Sequence, residues 1–348
     1  MKIKRIIEID SNEPVYDIEV STADHTFLID DVRVENCRLL SDTTKLEGFV
    51  NSIGGSGLSI GSCRVSTVNL MRIAYESKFN KKKYLDILKD RVTLDCKALT
   101  SMRKILKRNI EKGLLPNYQR GAVELEHQFC TIGILGLYEV MDSFGLINRD
   151  DFGYISYSDE AISFACEILD TINEIKDDFA KNVDFSFNVE SIPGENCAGV
   201  ICNADNLLYE QDKYFIYSNQ WAPLTEKCTI QEKCRLGSIL DAKCGGGCIA
   251  HIDIEGRFPS EEAAWDALNY VAKSGVMYSA FTTKINVCKH RHASIGTKTC
   301  PVCGEPIVDQ YARVVGFFTP VSNYQKIRKR EFDQRKWYDV LSKDMVMI

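Results

Sequence analysis

Helical periodicity broken by short apolar runs, repeated from residue 65 to residue 318, is what most restricts the folds open to this chain. Val65 to Leu70 reads as a strand. Arg72 to Lys112 then places Leu85, Leu88, Val92, Leu99, Ile105, Leu106 and Ile110 at spacings that bury one face of a long helix, which Gly113 can stop. Further helical patterns run from about Glu124 to Phe144, from Asp159 to Ala180 behind Ser158 as N-cap, and from Ser260, with Glu261 and Glu262 in its first turn, to near Gly275. Asp184 to Val189, Gly199 to Cys202, Tyr214 to Tyr217, Cys248 to Ile254 and Tyr311 to Phe318 supply strand-like pieces. Helices alternating with short apolar strands predict an α/β architecture with a buried sheet or barrel.

The strongest self-standing chemical motif is Cys288-Lys289-His290-Arg291-His292 followed by Cys300-Pro301-Val302-Cys303-Gly304. A Cys-x-x-Cys turn containing Pro and Gly sets both sulfurs on one side of a tight knuckle, at metal-ligand distance. Cys288 and His292 complete a tetrahedral set. His290 competes for the last place, and spacing does not separate the two histidines. Four protein ligands leave no open position, so the expected metal is a structural zinc that holds a loop and does not activate water. A redox dithiol or unmetallated thiols are the competing readings.

At 348 residues the chain can hold more than one domain and a substantial core. Its formal net charge of -6 argues against general affinity for nucleic acid or anionic membrane. Basic residues cluster only locally, at Lys81 to Lys83, Lys104 to Arg108 and Lys326 to Arg330, the first two as solvated helix faces. No stretch has the apolar length of a membrane helix and no signal peptide precedes the first strand, so a cytoplasmic protein is expected. In a reducing compartment, 14 cysteines point to metal binding, redox work or burial before structural disulfides. Exposed thiolates oxidise, which hints at an oxygen-poor setting. Cys244 with Cys248, and Cys228 with Cys234, are candidate redox pairs, against the plainer reading of buried structural thiols. A Gly-rich stretch, Gly48 and then Asn51 to Gly57, lacks the Gly-Lys-Ser/Thr of a phosphate loop and reads as a flexible loop.

Val34-Glu35-Asn36-Cys37 separates two kinds of sequence. Before it lies a short β-rich segment that starts at Met1, with strand-like Glu13 to Val20 and His25 to Val34; after it the composition is that of an enzyme domain. An Asn amide can attack its own main-chain carbonyl, and the next thiol can accept an acyl group as a thiolate. Residues 1–36 resemble the C-terminal piece of a split intein, with Val15-Tyr16-Asp17-Ile18-Glu19-Val20, His25-Thr26-Phe27-Leu28 and the terminal Asn36-Cys37. That resemblance implies that His25 polarises the scissile bonds, Asn36 cyclises and Cys37 takes over the upstream chain. The partner would be an intein N-terminal fragment. The family usually has His before the Asn; here it is Glu35, which bears on the splicing rate.

Beyond the knuckle, the run Arg313-Val314-Val315-Gly316-Phe317-Phe318-Thr319-Pro320, continuing to Trp337-Tyr338, resembles the C-terminal end of anaerobic (class III) ribonucleoside-triphosphate reductases. Asn188-Val-Glu190 with Pro193-Gly-Glu195, Tyr217-Ser-Asn219-Gln220, Gly245-Gly246-Gly247 with His251, and Tyr278 to Phe281 match further stretches of that family in order. The resemblance implies the C-terminal half of a glycyl-radical-type α/β barrel over residues 37–285, behind an all-β intein (Hint-type) fragment at 1–36. A zinc knuckle would occupy 286–306, and the radical loop and tail 307–348.

By the same resemblance Gly316 holds a backbone radical installed by a radical S-adenosylmethionine/4Fe-4S activase, and Cys37, in the loop Cys37-Arg38-Leu39-Leu40-Ser41-Asp42, becomes the transient thiyl. Asn188, Glu190, Glu195, Asn219 and Gln220 are the candidate substrate contacts. Ribonucleoside triphosphates are the implied substrates, formate or a thiol system the reductant, and a homodimer the assembly after splicing. The family's upstream half, with a further barrel cysteine and the nucleotide-regulatory region, is expected on the partner chain. A lyase-type glycyl radical enzyme and a non-catalytic zinc module are the alternatives.

Overall fold

The computed structural model describes residues 27–29, 32–34, 61–314 and 318–339. His25, Asn36, Cys37, the Gly-rich stretch and Gly316 lie outside the described residues. Strand β1 (Phe27–Ile29) pairs antiparallel with β2 (Val32–Val34), Phe27 opposite Val34. Strand β3 (Gly61–Asn69) leads directly into α1 (Leu70–Ser77), where the Asn69 side chain accepts from Arg72 N. The single helix expected over Arg72 to Lys112 is broken: Lys78 and Phe79 are left-handed, and Asn80 caps a second helix, α2 (Lys81–Glu111), by accepting from Lys83 N. The buried face of α2 carries Tyr84, Leu88, Val92, Cys96, Leu99, Arg103 and Leu106, whereas Ile105 is exposed.

After α3 (Pro116–Gln119), the helix expected over Glu124 to Phe144 is replaced by β4 (Gln128–Leu135), a left-handed Gly136, and α4 (Leu137–Ser143). β4 is the central strand of a parallel sheet, β3-β4-β7, with β7 at Phe187–Ser191. A strand buried on both faces has no polar alternation, so its apolar run cannot be told from helix by periodicity. β5 (Ile147–Arg149) and β6 (Ile155–Tyr157) form a hairpin before α5 (Asp159–Ala180), whose N-cap Ser158 accepts from Ala161 N as the sequence predicts. α2 and α5 pack together over the sheet, with Tyr84 and Phe164 edge to face at 5.5 Å between ring centroids. Residues 199–202, read as a strand, lie inside α6 (Glu195–Tyr209), and residues 214–217 are irregular.

α7 (Ile230–Leu240), β8 (Ala250–Glu255), α8 (Glu261–Lys273, capped by Ser260) and β9 (Ser279–Thr283) follow. A four-stranded antiparallel sheet then holds β10 (Ile285–Cys288), β11 (Ala293–Ile295), β12 (Ile307–Arg313) and β13 (Phe318–Pro320) in the order β11-β10-β12-β13. α9 (Lys326–Gln334) leads to β14 (Tyr338–Asp339), which joins a second parallel sheet, β14-β8-β9. A parallel bridge between Glu190 and Gly247 links the two parallel sheets. The barrel expected from the sequence is not closed among the described residues: β3 and β9 each end a sheet, and closure requires every edge to be paired. The observed class is mixed α/β.

Candidate functional site

The C-terminal ends of β4 and β7 support a cleft of about 280 Å³ whose wall is the segment 213–226. That segment is tied down on two sides. Gly136 N donates to Ser218 O at 3.0 Å, and the Ser191 hydroxyl donates to Asn219 O at 2.6 Å. Gln220 Oε1 accepts from His251 N at 3.0 Å, at the start of β8. The amide nitrogens Asn219 Nδ2 and Gln220 Nε2, both on cleft-lining residues, are buried without a hydrogen-bond partner among the described residues. Buried donors of this kind are costly unless a bound group satisfies them.

Glu139, on α4, lines the same cleft. Its Oε1 accepts from Ser218 N at 2.9 Å, Oε2 has no partner among the described residues, and burial pushes the carboxyl up to about 8. It is therefore a proton-bearing acid near neutral pH. In sequence Glu139 is one acid in a helical stretch, and only its burial against the 213–226 segment singles it out.

Asn188 and Glu190 lie on β7, both buried, and neither lines the cleft. Asn188 Oδ1 accepts from Thr131 Oγ1 at 2.6 Å, and Thr131 Oγ1 lies 2.5 Å from Ser62 Oγ, a polar chain across three strands. The Gly245–Gly247 stretch has a physical reason: Gly246 N donates to Val189 O at 2.7 Å, and a Cβ on Gly246 would lie 2.9 Å from that oxygen. Glu195 stands apart. It is exposed at the start of α6, and its backbone carbonyl accepts from Arg328 Nε at 2.8 Å.

Val314 reaches the cleft from the end of β12. Buried Arg335 holds that end: Nη1 donates to Arg313 O and Nη2 to Val314 O, each at 2.8 Å. Its Nε pairs with Glu331 at 2.8 Å, and Nη1 lies 3.4 Å from Asp253 on β8. Burial raises the Asp253 carboxyl despite Arg335, and it lowers the Lys233 ammonium, which donates to His251 O at 2.8 Å.

Cys288, His292, Cys300 and Cys303 converge at the other end of β12, their ligand atoms all within 4.8 Å of one another. His292, and not His290, belongs to the cluster. Cys288 and Cys303 sulfurs are 3.8 Å apart, and Cys300 Sγ is 3.6 Å from His292 Nδ1. Metal–sulfur bonds of about 2.3 Å in a tetrahedron give an edge of about 3.8 Å, so the donors fit a four-coordinate ion. Gly304, at φ +71°, closes the turn by donating to Cys300 O. Desolvation opposes ionisation of Cys300, but N–H groups of Cys303 and Val302 win and hold its thiol below the usual range. The other candidate pairs behave differently. Cys228, Cys234, Cys244 and Cys248 are all buried, and burial pushes Cys228 up to about 12 and also raises Cys234 and Cys244. No disulfide forms among the described residues.

The chain is thus an open α/β arc with a polar cleft at its strand ends and, at the far end of β12, a Cys₃His cluster whose geometry fits a metal ion. The anaerobic ribonucleoside-triphosphate reductase profile matches residues 11–338, and the chain belongs to that family. Among solved structures it is similar to an anaerobic ribonucleotide reductase at 41% identity and TM-score 0.79, covering 84% of this chain and 47% of that one. The Thermotoga maritima enzyme with glycerol in its active site matches at 42% identity and TM-score 0.75, over 81% of this chain and 46% of that one. The same enzyme in complex with dATP and CTP matches at 40% and 0.72, over 78% and 44%. The chain thus spans about half the length of the solved structures it matches. No curated protein matches it. Among the described residues no helix is long and apolar enough to cross a membrane.

Proposed function

We propose that this chain is the radical-bearing C-terminal half of an anaerobic ribonucleoside-triphosphate reductase, made as a precursor that loses residues 1–36 by trans-splicing. The observation that carries the catalytic reading is that Asn219, Gln220 and His251 line the same cleft as Val314, two residues before Gly316 in sequence. In this reading Gly316 stores the radical installed by the activase, and Cys37 takes the ribose 3′-hydrogen. The 2′-hydroxyl then leaves as water, and formate or a thiol system returns the electrons. The unpaired amide donors of Asn219 and Gln220 suit ribonucleotide oxygens, and neutral Glu139 suits proton donation inside the cleft. The Cys₃His set suits zinc, which would brace the turn between β11 and β12. The T. maritima complex with dATP and CTP makes nucleotides the first ligands to test. Activated protein should give a doublet glycyl EPR signal. If that signal persists in Gly316→Ala, the radical assignment fails.

The splicing reading rests on the Asn36-Cys37 junction and the motifs before it; the family match itself begins at residue 11, inside that segment. Co-expression with the upstream half carrying an intein N-terminal fragment should give a ligated product that begins its C-terminal part at Cys37. No ligation, with Asn36→Ala and Cys37→Ala precursors indistinguishable from the parent, would sink it.

A further inference from the structure

We infer that Cys63 and Cys130 form a hydroperoxide-reactive dithiol that closes to a disulfide, with Arg103 as the cation that holds the Cys63 thiolate. The two thiols sit on neighbouring parallel strands, their sulfurs 3.8 Å apart. The β3–β4 register slips between Ser62, opposite Phe129, and Arg64, opposite Cys130, so Cys63 is the extra residue of a bulge. A bulge re-aims a side chain out of strand alternation, and here it brings Cys63 beside Cys130 under α2. Adjacent strands lie about 4.8 Å apart, inside the Cα window of about 4.4–6.8 Å that a disulfide tolerates. Closure brings sulfurs now 3.8 Å apart to a bond of about 2.05 Å.

Arg103 supplies the second, independent observation. It is buried, and Nη1 donates to Cys63 Sγ at 3.4 Å and to Gln128 O at 2.7 Å, Nη2 to Leu125 O at 2.6 Å. The Phe185 ring lies under the guanidinium at 4.6 Å. Among the described residues no carboxylate forms an ion pair with Arg103, so its buried charge meets carbonyl dipoles and a sulfur. Of these partners only the Cys63 sulfur can carry a balancing negative charge, which buried ions require. The hydrogen bond from Cys130 and the charges of Arg103 and Arg64 accordingly hold the Cys63 thiol below its usual range against burial, while Cys130 is pushed up. One thiolate beside one protonated thiol is the starting state for peroxide chemistry.

The Cys63 thiolate attacks a peroxide oxygen, breaking the O–O bond and releasing hydroxide, which takes a proton to become water; Cys63 becomes a sulfenic acid. The Cys130 thiol then attacks that sulfur and expels the sulfenic oxygen as a second water. Two thiols have lost two electrons and hydrogen peroxide has gained them.

The test uses the full chain, prepared anoxically, exposed to one equivalent of hydrogen peroxide, alkylated and mapped by peptide mass spectrometry. The linked Cys63–Cys130 peptide should form before any other cysteine is lost. Cys130→Ser should instead leave a Cys63 sulfenic acid that dimedone traps, and Arg103→Gln should slow cross-linking roughly tenfold. The proposal is overturned if the wild-type chain, folded by circular dichroism, gives no linked peptide or forms it no faster than other cysteines react. That wild-type result decides the matter even where a variant fails to fold. It is independent of the radical and splicing assignments, because it needs neither activase nor partner chain.

Discussion

Strand β12 is held by different physics at its two ends. At Ile307 it pairs with Cys288, and the knuckle there sits in water, with Cys303 exposed and Val302 69% exposed. At Arg313 the strand is held by Arg335, whose side chain is 1% exposed, as is that of its partner Asp253. A short wet turn cannot bury enough apolar surface to fix itself, so metal-ligand bonds are the available means. A buried site can use charges, but their desolvation offsets most of the attraction; such networks specify one arrangement more than they stabilise it. The seven residues of β12 thereby run from an end whose proposed anchor is a metal to an end anchored by buried charge.

Stripping the metal should give the largest effect and break only the knuckle end. Hydrogen exchange at residues 288–304 should accelerate by the equivalent of on the order of 10 kcal/mol, while β8 keeps its protection. Unchanged exchange after a chelator removes bound zinc would mean the knuckle does not need it. Arg335→Gln should cost about 3–5 kcal/mol in urea unfolding, because Asp253 and Glu331 are left buried without their cation. Its zinc content should not change; joint loss would show that the two ends are one cooperative unit.

Glu139 asks whether the cleft next to the charge-sensitive end shares its pH dependence. Its folded value of about 8 lies above the ordinary 4.5, so the folded state holds this proton more tightly. The resulting stability is fully present below pH about 4.5 and is lost as pH rises through about 8, on the order of 5 kcal/mol across that window. Glu139→Gln should flatten the stability profile between those limits; equal slopes would refute the assignment. The smallest effect belongs to Gly246→Ala, where the new Cβ would meet Val189 O at 2.9 Å. About 1–3 kcal/mol of overpacking strain is expected, with neither end of β12 disturbed.

Local signals were legible where one residue's chemistry decides the backbone. Ser158 caps α5 as expected, Ser260, expected as the first residue of its helix, caps α8 instead, and Gly113 and Gly275 follow α2 and α8 in left-handed conformation. The metal cluster was legible because its four ligands lie within sixteen residues, and only the choice of His292 over His290 needed coordinates. The failures fall where burial erases pattern. β4 is buried along nearly its whole length, so nothing in residues 128–135 alternates. Residues 199–202 read as strand because a four-residue apolar run is too short to show a period; they are helical, with Gly199 packed so closely on Ile327 of α9 that a Cβ would lie 2.7 Å from it.

The family, the Ser158 cap and the three knuckle cysteines were therefore set by the sequence itself, since each depends on residues close in the chain or on an ordered series of short motifs. Tertiary structure alone decided the rest. Arg335 meets Asp253 across 82 residues, Glu139 meets Ser218 across 79, and Cys63 meets Cys130 across 67. The charge of each such group is fixed by burial and by neighbours that only the folded chain assembles.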